Sequence, residues 1–194
     1  MLAQPVGQRA MDTQPYTLSS GNIDTTIERY TGSIACLSAR ASALTGLALL
    51  STLGRTPVGA GPYPHLTLLE AANRIMSDLV ILHGVRWLLA HSAFPFDCYR
   101  VELGGERTRG CDVSASNARG ARLVGQAEAL APASFRARKR TLLRRLWRSA
   151  ASVEFRILLV NYDAIAEGRL RALPAHHWLL GVDIDDGTAS VIRG

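Results

Sequence analysis

Between residues 66 and 90 apolar side chains recur every three or four positions. Leu68, Leu69, Ala72, Ile75, Met76, Leu79, Leu82 and Val85 crowd one side of a helical wheel. This spacing predicts a helix over that stretch. The period then falls to two. Residues 97–103 alternate as a strand, Gly104 and Gly105 begin a turn, residues 112–116 alternate again, and residues 121–130 follow an Asn-Ala-Arg-Gly turn as a third strand. An antiparallel meander is the simplest way to join them. Residues 134–149 return to helical spacing, with Ser134 as a plausible cap and Arg and Leu dominating. The run FRILLVNYDA, residues 155–164, is continuously apolar, as expected of a central strand covered on both faces. Two last short strands, residues 178–184 and 188–192, flank the Asp-Asp-Gly of a hairpin.

Ahead of this block, residues 1–21 lack periodicity and read as a mobile arm. Residues 23–53 read as one helical stretch with Asp24 or Thr25 as N-cap, a lead-in or a dimer surface. The run GRTPVGAGPYP, residues 54–64, breaks any helix and is the clearest linker. The fold class expected is α/β: a mixed sheet flanked by helices over residues 65–194, with a helical extension over residues 22–64. With 194 residues and 47% hydrophobic side chains, one well-buried core is the natural outcome.

Charge narrows the partner. The net charge is +6 and the pI near 9.8, which favours an anionic partner, nucleic acid first. Twenty-one of the 22 basic residues are arginine, and the single lysine is Lys139. Cys36, Cys98 and Cys111 form no CxxC pair and have no histidines at zinc spacing, which suits a reducing cytoplasm. The N-terminus lacks the order of a secretory signal. Residues 33–54 have a membrane span's length but carry Arg40 and many small polar residues, so no membrane association is expected.

The candidate chemistry lies around the meander: Glu70 in the helix before it, Asp112 opening its second strand, Gln126 in its third strand within Gly-Gln-Ala-Glu, and Lys139 in the following helix. At about 100° per residue Lys139 falls among Phe135, Leu142, Leu143 and Leu146, so it points toward the core and calls for an acidic partner. Arg138, Arg140, Arg144 and Arg145 spread over the other side, where a phosphate backbone can meet them.

This order of elements and residues resembles the PD-(D/E)xK nuclease superfamily over residues 65–165, in a variant with the lysine moved onto the following helix. The resemblance implies a metal-dependent nuclease-like protein acting on DNA. Asp112 and Gln126 would hold Mg²⁺ or Mn²⁺, Lys139 would steady the phosphate or the attacking hydroxide, and Glu70 would be the helix acid. Gln126 stands where that variant carries glutamate, which removes one charge from the site. Glu128, two residues on and on the same strand face, can supply it. The glutamine equally suits a catalytically degenerate DNA-binding or regulatory module of the same fold. A non-enzymatic dimer built on residues 33–54 is the third reading. Asp97 is the rival motif aspartate, His176 and His177 read as a loop dipeptide, and Asp183, Asp185 and Asp186 read as hairpin residues.

Overall fold

The computed structural model describes residues 15–104, 111–148, 153–165, 173 and 176–193. Its elements in chain order are β1 (Tyr16–Ser19), α1 (Ile23–Ser42), α2 (Gly46–Gly54), α3 (Leu68–Ala90), β2 (Cys98–Val101), β3 (Val113–Ser116), β4 (Arg122–Glu128), α4 (Pro132–Arg148), β5 (Phe155–Asn161), β6 (His177–Val182) and β7 (Ala189–Arg193). Among the described residues the strands form one seven-stranded mixed sheet in sequence order. The first four pair antiparallel, β4, β5 and β6 run parallel, and β7 closes antiparallel. The chain is therefore an α/β protein with helices on both faces of the sheet.

Strand alternation sorts the core into two halves. Leu123 and Ala127 of β4, with Ile157 and Leu159 of β5, pack toward α1 and α3. Val124 of β4, with Leu158 and Val160 of β5, packs toward Phe135, Leu142 and Leu146 of α4. The central helix α3 is buried without a break from Ser77 to Val85, because the sheet covers one side and α1 and α2 the other. No described helix is long and apolar enough to cross a membrane.

The structure alters three expectations. Residues 16–19 of the expected arm form an edge strand on β2, while residues 1–14 lie outside the described residues, as do Gly105 and Ser149. The single helix expected over residues 23–53 is two. Its first part begins at Asn22 rather than at Asp24 or Thr25, and α2 starts from Gly46 at φ +53°. Asn22 is used to close the β1–α1 turn, accepting from Ser19 N at 2.8 Å and donating to Thr17 O at 3.0 Å. On α2, Leu47 and Leu50 face solvent, the apolar surface on which the dimer expectation rests.

A buried polar knot ties the N-terminal helices to the sheet. Asp78, in the middle of α3, is 2% exposed. Its Oδ2 accepts from the hydroxyls of Tyr30 on α1, at 2.7 Å, and of Tyr63 on the linker. Its Oδ1 accepts from Gly104 N at 3.1 Å, and Arg74, a turn earlier on α3, donates to Gly104 O. The N–H and the C=O of Gly104, just beyond β2, are thus both held by one helix. Gly104 adopts φ +66°, and a β-carbon placed there would lie 2.5 Å from the Tyr63 ring. Gly104→Ala should lower the unfolding free energy by about 2–4 kcal/mol, from left-handed strain plus overpacking. Gly120→Ala, at φ +83° with open space around it, should cost about 1–2 kcal/mol. Urea denaturation of the two variants checks the difference.

Burial pushes the Asp78 carboxyl above the usual carboxylate range, outweighing the hydroxyl and amide hydrogen bonds that pull it down. The folded chain therefore holds this proton more tightly than the unfolded chain. The resulting contribution to stability is complete below the ordinary Asp value of about 3.9 and is lost as pH rises through the folded value. Lowering the pH from about 8 to about 5 should stabilise the wild type relative to Asp78→Asn, read as the change in the urea midpoint difference.

Candidate functional site

The parallel strands β4 and β5 end at Glu128 and Asn161, and β3 starts at that same end of the sheet. The carboxyl end of parallel strands is the usual ligand edge of open α/β sheets, since the helices leave a crevice there. Asn161 closes part of it: its Oδ1 accepts from Leu130 N at 2.6 Å and its Nδ2 donates to Leu130 O at 3.0 Å. From the α3 side, Ser77 Oγ accepts from Ala129 N at 3.3 Å.

Three of the residues singled out from the sequence meet at this edge. Asp112 precedes β3, and its Oδ2 accepts from Ala127 N at 2.8 Å. Ala127 lies between Gln126 and Glu128, so the Asp112 carboxylate sits at their level on the neighbouring strand. Gln126 and Glu128, each 4% exposed, share with Val124 the face of β4 that is turned to α4. Above them an ion pair joins the sheet to α4. Arg138 donates to Glu128 Oε1 through Nη2 at 2.6 Å and through Nε at 3.2 Å.

Arg138 is thus drawn in from the outward set in which its sequence position placed it. The geometry of the helix explains why: Arg138 is three residues after the buried Phe135, which puts it on the flank of α4 beside the sheet. Arg145, seven residues on, shares that flank and is half-buried. Lys139 is half-buried on the inward side, with its ammonium 5.9 Å from the centre of the Phe135 ring. Arg136, Arg140, Arg144 and Arg148 are exposed and follow one another every four residues. They make a line about 18 Å long on the outer face of α4.

Glu70 is occupied elsewhere. It stands in the first turn of α3, exposed, in a reciprocal cap with Thr67: Thr67 N donates to Glu70 Oε2 at 3.1 Å and Glu70 N to Thr67 Oγ1 at 3.4 Å. The Thr67 hydroxyl, then its amide, hold the Glu70 carboxyl below its ordinary range. Asp97 is exposed just before β2. Asp183 and Asp186 accept turn amides, from Asp185, Asp186 and Thr188, as hairpin residues do. His177 opens β6 as a buried residue.

Among the described residues no group of three His, Cys, Asp or Glu side chains is arranged to hold a metal ion. The donor chemistry of the edge is oxygen-rich, as Mg²⁺ or Mn²⁺ requires. Yet Glu128 Oε1 already accepts from the Arg138 guanidinium. As folded, this set does not fit a divalent ion. No family model, curated protein or solved structure matches the chain.

The Arg138–Glu128 pair and the Asp78 knot both escaped the sequence reading. The signal for the second was available, since Asp78 interrupts an apolar stripe running from Ile75 to Val85. The pair makes an asymmetric prediction. Arg138→Ala leaves a buried carboxylate without its guanidinium and should cost about 1–3 kcal/mol, a range reduced from that of a fully buried pair because the Arg138 side chain is 40% exposed. Glu128→Gln lets Arg138 turn to water and should cost less. Chemical denaturation of both variants reads the difference.

Proposed function

We propose that this chain is a DNA-binding protein on a nuclease-like core, gripping the duplex through its phosphates along α4. The observation that carries this reading is the line of Arg136, Arg140, Arg144 and Arg148, four exposed guanidiniums on one helix with no acid in that helix. Guanidiniums pair with phosphate oxygens through two parallel donors, and such contacts give affinity without reading sequence. The net charge of +6 works in the same direction over longer range. The likeness to the PD-(D/E)xK arrangement rests on the order α3, β2, β3, β4, α4, β5, in which a meander leads through a helix into a parallel strand.

A second reading, metal-dependent cleavage of the DNA phosphodiester, is favoured by one feature: Asp112 accepts from the amide of Ala127, the residue between Gln126 and Glu128 on β4. In that reading Lys139 would meet the phosphate charge. Against it stand the amide at Gln126 and the cation already on Glu128. Incubating supercoiled plasmid with the chain and Mg²⁺ or Mn²⁺ separates the two: nicking favours the second reading, and binding without nicking the first.

The binding reading makes its own quantitative prediction. Each phosphate contact contributes about 0.9 to the slope of log affinity against log salt on duplex DNA. Replacing all four exposed arginines by alanine should therefore flatten that slope by up to about 3.6, alike for unrelated sequences. Fluorescence anisotropy of a labelled duplex across a salt series measures it, and an unchanged slope would remove α4 from the interface.

A further inference from the structure

Where the β6–β7 hairpin meets α3, two helix side chains close on a residue that has none. A β-carbon built on Gly187, at φ +72°, would lie 2.7 Å from Arg86 Nη2 and 2.8 Å from both Nδ1 and Cε1 of His83. Arg86 holds the turn by a bond, Nη2 donating to Gly187 O at 2.6 Å, and the Asp183 amide closes the turn by donating to Thr188 O at 2.8 Å. His83 holds nothing there. It is 8% exposed, and its Nδ1 is buried without a hydrogen-bond partner. An imidazole so placed is tolerated while neutral. A proton on it sets a second positive charge against the Gly187 backbone, beside the Arg86 guanidinium, where little water can screen the two.

We infer that the His83–Gly187 contact is an acid-sensitive latch: the β6–β7 turn stays seated on α3 while His83 is neutral, and protonation of His83 lifts the turn while the rest of the sheet stays folded. The turn is the part that gives, because β7 is an edge strand paired on one side only and its register with β6 already slips at Leu179 and Leu180. Among the described residues the charged neighbours of His83 are Arg86 from α3 itself, which lies 3.9 Å from Asp24 of α1 through Nη1, and Asp186 from the turn, whose Oδ1 accepts from the Thr188 amide and hydroxyl. Burial first, then the Arg86 charge, lower the proton affinity of His83, and Asp186 offsets them only in part. In the lifted state water restores the ordinary value of about 6.5, so the closed state is favoured above that pH and loses ground as the pH falls from it toward the lower folded value. The latch lies on the α3 side of the sheet and is independent of the reading of α4, which packs on the other side.

The test follows amide hydrogen exchange of the full chain by NMR, expressed as protection so that the intrinsic pH dependence of exchange drops out. Protection of the Asp183 amide should fall about threefold or more between about pH 6.5 and 5.5, the scale for one proton taken up on opening. The amides of the β4–β5 ladder should hold steady over the same range. His83→Gln, whose side chain takes up no proton, should remove the fall. Protection that does not change with pH, a fall that persists in His83→Gln, or an equal fall in the β4–β5 ladder each overturns the proposal. Should His83→Gln fail to fold by circular dichroism, Asp186→Asn takes its place. Its amide oxygen keeps the Thr188 hydrogen bonds but the charge that favours the imidazolium is gone, so the fall in Asp183 protection should be deeper than in the wild type by about pH 5. An equal or shallower fall in that variant overturns the proposal as well.

Discussion

A carboxylate placed on the covered face of a central strand has to be matched by a cation, and Glu128 sets this requirement at the middle of the sheet. β4 is buried from Leu123 to Glu128, with both of its faces under helices. Its even-numbered residues include Gln126 and Glu128, which turn polar groups into the layer under α4. Packing α4 there by Phe135, Leu142 and Leu146 alone would strand the charge. Arg138 resolves this from the helix flank, and in doing so it fixes the rotation of α4 about its axis. That rotation decides which of the helix's basic residues face inward and which form the outer line.

The opposite face of the sheet carries a second buried acid and answers it differently. Asp78 is held by two tyrosine hydroxyls and a backbone amide, with Arg74 bound to the neighbouring carbonyl rather than to the carboxylate itself. Neutral donors stabilise an ionised carboxylate less than a guanidinium does, so burial prevails and its proton affinity rises. The gain is mechanical: α1, the linker, α3 and the end of β2 converge on one side chain. Burial likewise pushes the Tyr30 and Tyr63 phenols up, which keeps them protonated as donors.

How much of this was legible from the sequence follows from which elements have one covered side. The meander, α4, the apolar β5 and the closing hairpin fall within two or three residues of where periodicity put them, because their patterns are written by a single burial boundary. Residues 16–19 were missed because four residues are too few to show alternation, and their pairing with β2 lies about 80 residues away along the chain. The break between α1 and α2 was masked by small residues that suit a helix as well as a turn. The grouping of Asp112 and Gln126 could be anticipated from strand spacing, but the Arg138 contact could not. Arg138 sits about 60° from Phe135 on the wheel, a border position where tertiary context decides the direction.

That border position also explains why one helix can serve two purposes. Residues on its outer face are spaced every four and exposed, so guanidinium after guanidinium is presented to solvent. Residues on its flank are within reach of β4 and are constrained by the acid they find there. Arginine suits both settings, because its charge survives burial and its fork can bond one carboxylate oxygen or one phosphate equally well. The lysine at 139, with a compact ammonium near the Phe135 ring, is the basic side chain of α4 whose charge and reach differ from the rest.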